Sequence, residues 1–162
     1  MHYFILQQDE RTKTSLLLQE PRHDGSRDHY MMYVREEQKA EYIDFIEHPR
    51  RLVSNRMKQL LELYDADLRW TSVVLTAKEA KRQELYWLFE PPELEVLSER
   101  TERDRLGTVK RVVLDGNKLK HERLFCAGDR CIVHLDVAES LLRRAYTGLR
   151  LTPVEVDDRF QE

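Results

Sequence analysis

Residues 68–75 read Leu68-Arg69-Trp70-Thr71-Ser72-Val73-Val74-Leu75, and residues 149–156 read Leu149-Arg150-Leu151-Thr152-Pro153-Val154-Glu155-Val156. Leu68, Arg69, Thr71 and Val73 match Leu149, Arg150, Thr152 and Val154 at a constant offset of 81 positions. The β-branched residues in both stretches favour a half-buried strand. Ahead of the first lies Arg51-Leu52-Val53-Ser54, a short strand, and then a helix capped by Ser54 or Asn55. Its apolar positions Met57, Leu60, Leu61 and Tyr64 follow helical spacing and define one face. Ahead of the second lies the strand Cys131-Ile132-Val133-His134. A helix with the face Ala138, Leu141, Leu142 and Ala145 follows it, with Asp136 and Glu139 at capping-box spacing. Gly148 stands where a left-handed helix end requires glycine.

These patterns predict an α+β fold over residues 1–162 as a single domain. Two similar strand-helix-strand units, an internal pseudo-repeat over 51–75 and 131–156, are expected on a mostly antiparallel or mixed sheet. Leu61 and Leu142 are expected in its core. Elsewhere, residues 3–7 and 15–18 read as strands around a polar turn, and 20–29, with His23 and His29, as an exposed loop. Residues 30–47 fit either strand or helix. Glu84 to Phe89 is the most aromatic run and reads as a strand stopped by Pro91-Pro92. Further strands are expected at 94–97, 109–114 and 123–125, with a charged loop from Glu99 to Arg105.

Composition narrows the functional classes. Apolar residues make up 41% and charged residues 35%, and the formal net charge is -3 with both signs mixed along the chain. No long-range field favours nucleic acid or an anionic membrane. No apolar run approaches the roughly 20 residues of a membrane span, and the N-terminus lacks a basic segment before its apolar residues. A cytoplasmic location follows as the expectation. Cys126 and Cys131 flank a Gly-Asp turn that places them across a hairpin. Two thiols packed near a turn, a disulfide, or a zinc site with His121 and His134 all fit that placement; C-x4-C is not a usual metal spacing, so no metal and no cofactor are expected.

Catalytic patterns are missing from the sequence. The five glycines build no phosphate loop or dinucleotide fingerprint. Asp104, His121 and Ser140 make a triad only on paper, so no catalytic residue is assigned. Partner binding remains. Trp87, beside Tyr86 and Phe89, offers an aromatic anchor if its side of the strand is exposed. Glu90, Glu93, Glu95, Glu99 and Glu102 follow it and suit a basic partner. Core packing for the aromatics and a solvated face for the carboxylates are the competing readings.

The run Val53-Ser54-Asn55-Arg56-Met57-Lys58-Gln59-Leu60-Leu61, followed by Trp70-Thr71-Ser72-Val73-Val74-Leu75, resembles the immunity proteins of bacterial polymorphic toxin systems, nearest their eleventh-numbered family, formerly a domain of unknown function. The likeness continues through Leu124-Phe125, Ile132-Val133-His134, Ala138-Glu139-Ser140-Leu141-Leu142 and Gly148 to Val154, with His134 where the family has serine. The resemblance implies a non-catalytic protein that binds a cognate protein toxin inside the producing cell and neutralises it. Two alternatives stand beside it: a cytoplasmic interaction or regulatory module, in one form a homodimer, and a small hydrolase with its site spread over loops. A hydrolase requires a concave pocket with converging polar groups, whereas an inhibitor requires a broad exposed patch.

Overall fold

The structure is a computed structural model and describes residues 2–11, 16–18, 22–23, 29–36 and 41–158. Its architecture is α+β with mixed sheets. In chain order the elements begin β1 (Tyr3–Gln8), β2 (Leu16–Leu18), β3 (Arg22–His23), β4 (His29–Glu36), β5 (Phe45–Ile46), β6 (Leu52–Ser54), α1 (Asn55–Leu61) and β7 (Thr71–Ala77). They continue with β8 (Arg82–Leu88), β9 (Glu102–Arg103), β10 (Val109–Arg111), β11 (Val113–Asp115), β12 (Leu124–Ala127), β13 (Arg130–His134), α2 (Leu135–Arg143) and β14 (Leu149–Asp157). The chain gathers into two compact units. Unit 1 comprises Met1–Gln7, Pro91–Ala145 and Arg150–Glu162; unit 2 comprises Gln8–Glu90 and Tyr146–Leu149.

In unit 2 the strand order is β2-β4-β7-β8-β6-β5, with β3 also beside β4. β7 runs parallel to β4 and antiparallel to β8. Flanked by strands on both sides, it is buried continuously from Thr71 to Val73, as a central strand covered on both faces must be. Val73 and Leu75 join Met32, Ile43, Ile46, Leu52, Tyr86 and Leu88 in one apolar core. The α1 helix starts where Ser54 Oγ accepts the Met57 N–H at 3.3 Å. It buries Met57, Leu60 and Leu61.

Unit 1 holds a sheet in the order β11-β14-β1-β13-β12. β11 is parallel to β14, and β13 is antiparallel to both β1 and β12. Its core gathers Tyr3, Val96, Val112, Leu114, Phe125 and Ile132. Both edges of this sheet are touched by one segment, residues 92–98. Leu94 donates to Cys126 O at 2.9 Å and Cys126 donates to Pro92 O at 2.8 Å, while Ser98 donates to Val113 O at 2.8 Å and Asp115 to Val96 O at 2.7 Å.

Several expectations need correction. The 94–97 strand is reduced to two isolated bridges, Glu93 to Cys126 and Leu97 to Leu114, because the segment crosses from one sheet edge to the other. Within 20–29, Arg22 and His23 form β3 and His29 begins β4; residues 20–21 and 24–28 lie outside the described residues. The ambiguous 30–47 stretch contains strand, in β4 and the two-residue β5, and no helix among its described residues; 41–44 is irregular and 37–40 lies outside the described residues. The α2 helix is not boxed by Asp136: His134 is its cap, its ring Nδ1 accepting the Asp136 N–H at 3.1 Å. The inward face also falls one position earlier along the helix than the spacing suggests. Val137, Ala138 and Leu141 are buried, whereas Leu142 is 66% exposed and does not belong to the core.

The helix faces give a direct test. Leu61 is fully buried, so Leu61→Ala should cost about 2–5 kcal/mol through lost transfer energy and a residual cavity. Leu142→Ala should stay within about 0.5 kcal/mol, as exposed substitutions do. Denaturant midpoints measure both, and equal losses would contradict these orientations.

Candidate functional site

In unit 2, a single carboxylate organises the ground around the start of α1. Asp44 lies just before β5 and its side chain is 5% exposed. It accepts hydrogen bonds from Ser54 Oγ at 2.6 Å, Arg56 Nε at 2.8 Å and Nη2 at 2.5 Å, the Thr147 N–H at 2.7 Å and Thr147 Oγ1 at 3.1 Å. Burial pushes this carboxyl up, but Arg56, Ser54 and Thr147 together hold it below the ordinary carboxylate value. The same pairing raises Arg56. Every strong acceptor position of Asp44 is occupied, so the group is an anchor and is not poised to exchange protons. Tyr86 is the other perturbed group here. Burial, and then Asp44, raise its phenol, whose O–H donates to Ile43 O at 2.7 Å.

Beside this anchor sits an aromatic and cationic cluster. Trp87 is half-buried on β8, while its neighbours Tyr86, Leu88 and Phe89 are buried. Its indole N–H donates to Asn55 Oδ1 at 2.9 Å. The Lys58 ammonium lies 4.6 Å from the Trp87 ring centre and 5.9 Å from that of Trp70, within cation–π range, and pairs with Glu62 at 2.8 Å. Trp70 stacks on Phe89 at 5.8 Å. The aromatic run is thus mostly core, and Trp87 alone keeps an outward side. Sequence reading missed Asn55, Lys58 and Trp70 as its companions; helical spacing from Asn55 to Lys58 was the available signal.

The predicted carboxylates are divided between the units. Glu90 belongs to unit 2 and is paired with Arg50 at 2.8 Å. Glu93, Glu95, Glu99 and Glu102 belong to unit 1 and are exposed. Glu102 on β9 is engaged by Arg111 at 3.3 Å. Among the described residues no cation lies within ion-pair distance of Glu93, Glu95 or Glu99. Glu93 and Glu95 border an open cleft of about 300 Å³ with Leu94, Leu97, Arg103 and Lys118. A second groove of unit 1, about 400 Å³, was not legible in the sequence. Lys110, Arg111, Arg130 and Gln7 line it with Ile5 and Thr152. Arg111 there is bonded to Glu155, which also holds Arg100 at 2.9 Å.

Asp104 accepts the N–H groups of Leu106 and Thr108, both at 2.9 Å, and shapes its own turn. Among the described residues no group of three or more His, Cys, Asp or Glu is placed to hold a metal ion. No described helix is long and apolar enough to cross a membrane. Cys126 and Cys131 are buried, face each other across β12 and β13, and are not joined by a disulfide. Cys126 directs both its N–H and its C=O toward residues 92–94. The cysteines therefore form a non-hydrogen-bonded pair, the class with the closer side chains.

Two outcomes are expected. Asp44→Ala should cost about 3 kcal/mol, through lost charge-assisted hydrogen bonds and orphaned donors. Because the folded-state value of Asp44 is depressed, its contribution is present above the unfolded value of about 3.9 and is lost as pH falls through the lower folded value. The variant should therefore lose the part of acid destabilisation that lies below about pH 4, as read from unfolding midpoints against pH; an unchanged profile would remove Asp44 from its anchoring role. Mild oxidation with a small disulfide should close Cys126 to Cys131, lowering the intact mass by two hydrogens; a persistent mixed adduct would show that the pair cannot reach bonding geometry.

No protein-family model matches this chain, and no curated protein matches it.

Proposed function

We propose that the chain is a non-catalytic cytoplasmic immunity protein that binds and neutralises a cognate protein toxin. The observation carrying this reading is the exposed acidic segment of unit 1. Glu93, Glu95 and Glu99 are exposed while Val96 and Ser98, on the other side of the same segment, are buried at 5% and 7%. The backbone of that segment is fixed by hydrogen bonds to two strands. Its carboxylates are thus presented on a rigid support, which lowers the ordering cost of binding. An unneutralised acidic row accelerates encounter with a basic surface and contributes little to folding.

The surroundings support docking over turnover. The perturbed carboxylate, Asp44, is saturated with donors. The openings beside Glu93 and beside Lys110 are lined by groups on the protein surface, with mixed charge. The two similar strand-helix-strand units belong to the same proposal. β6-α1-β7 and β13-α2-β14 each open with a strand whose last residue caps the helix, Ser54 in one and His134 in the other. This repetition is a packing device that leaves outward loops open to variation in partner choice.

The test pairs this protein with the product of a toxin gene encoded beside its own. Co-purification of the two, with loss of the toxin's activity in the complex, is expected; a toxin that remains free and active would exclude this function. Replacing Glu93, Glu95 and Glu99 together by lysine should slow association at least tenfold at low salt and leave the unfolding midpoint unchanged. Unaltered association by the triple variant would place the contact elsewhere.

A further inference from the structure

We infer that the chain consists of two copies of one fold of roughly 80 residues, 1–81 and 82–162, which have exchanged their first strands. The first copy runs β1 to β7 with α1, and the second runs β8 to β14 with α2. Their ladders correspond one by one. The antiparallel pairing of Leu17 with Arg35 is matched by that of Leu97 with Leu114. Arg22 opposite Met31, in β3 and β4, is matched by Glu102 opposite Arg111, in β9 and β10. Phe45 and Ile46 pair with Val53 and Leu52 as Leu124 and Phe125 pair with Val133 and Ile132. The parallel ladder of Tyr33 with Thr76 is matched by the parallel ladder of Val113 with Glu155. In each case the offset is 79 or 80 positions, so the ladders set Thr76 against Glu155, two positions from the 81-residue offset of the sequence match between these strands. The parallel ladder recurs as parallel and each of these three antiparallel pairings as antiparallel. Chance does not produce this agreement, since each ladder has its own register and direction.

The first strands complete the pattern and break it in one respect. On β1, Tyr3, Phe4 and Ile5 lie opposite His134, Val133 and Ile132; on β8, Tyr86, Trp87 and Leu88 lie opposite Ser54, Val53 and Leu52. Tyr3-Phe4-Ile5-Leu6 and Tyr86-Trp87-Leu88-Phe89 are therefore equivalent, and each tyrosine faces a helix cap. Yet β1, the first strand of copy one, pairs with β13 of copy two, and β8, the first strand of copy two, pairs with β6 of copy one. The short connection from Ala77 to Arg82 explains the choice. It folds β8 back on β7 as a hairpin from Thr71 to Leu88, a local closure with a small entropic cost. The place beside β13 is then left for β1. This is strand swapping between two halves that are fused in one chain. Nothing in the exchange depends on what the protein binds.

Opening the connection between the copies tests it on the full-length protein. A specific protease site is placed across Lys78 to Lys81, and the folded protein is cut there. The two pieces should stay together at the size of the uncut protein and part only in denaturant; pieces that separate without denaturant would overturn the exchange. Cysteine pairs then distinguish interleaved strands from surfaces that merely touch. I5C with I132C, and separately L52C with L88C, are introduced with C126A and C131A at the non-hydrogen-bonded registers suited to a disulfide. After oxidation and cutting, each variant should run as one band on a denaturing gel without reductant and as two bands with it. Two bands without reductant, from protein whose thiols have been consumed by oxidation, would refute the pairing across copies.

Discussion

A carboxylate removed from water must be compensated on every side, and Asp44 shows what that demand does to a fold. Its donors come from two stretches far apart in sequence, Ser54 and Arg56 at the start of α1 and Thr147 near the end of the chain. The Ser54 N–H adds a bond to the Asp44 carbonyl oxygen at 2.8 Å. The entry to β5, the start of α1 and the returning 146–149 loop are therefore set by one charge. Asp44 is buried but its partner Arg56 keeps a 59% exposed side chain, so desolvation of the carboxylate offsets part of the attraction and water screens much of the rest. What it adds here is definition, since any shift of these segments strands a charge. Gly148 completes the arrangement. It has φ +83°, and an added Cβ would meet Ile43 Cδ1 at 2.6 Å, so the loop approaches as closely as the backbone permits.

The periodic features were legible because they are local. Alternation located β7 and β14, and helical spacing located α1 with its buried Met57, Leu60 and Leu61. The misreadings came where a rule about residue types met an unusual solution. His134 caps α2 through a ring nitrogen, in the position Ser54 holds in α1, and histidine is not a usual cap. The buried stripe of α2 runs through Val137, Ala138 and Leu141, and the adjacent Leu142 lies off it. Pairing between distant segments was not legible at all. Nothing in the alternation of residues 30–34 shows that they run parallel to β7. A usable signal for the anchor did exist: a lone aspartate inside the apolar run Ile43-Asp44-Phe45-Ile46 has to be buried with partners.

The site followed the same division. Exposed glutamates at alternating positions were readable as an outward row, and Glu93, Glu95 and Glu99 are exposed. Their neutralisation was not readable, because it depends on cations brought in by other strands, as Arg111 is to Glu102 and Arg50 to Glu90. The aromatic run divides by strand alternation combined with non-local cover. Tyr86 and Leu88 point to the core, and Trp87 is left with Lys58 and Asn55. Where polar groups in this protein are buried and tightly bonded, they hold segments in place.

The segment that spans both sides of the unit 1 sheet has one more effect. A bare outer strand invites another chain to add to it, either in aggregation or in recognition by strand addition. Here the backbone groups of Cys126 on one side, and of Val113 and Asp115 on the other, are already taken by residues 92–98. A visiting polypeptide gains no ladder at those positions. Whatever approaches this part of the molecule must discriminate by side-chain charge and shape, so specificity there can drift through substitutions at Glu93 or Glu95 without disturbing the hydrogen-bonded frame behind them.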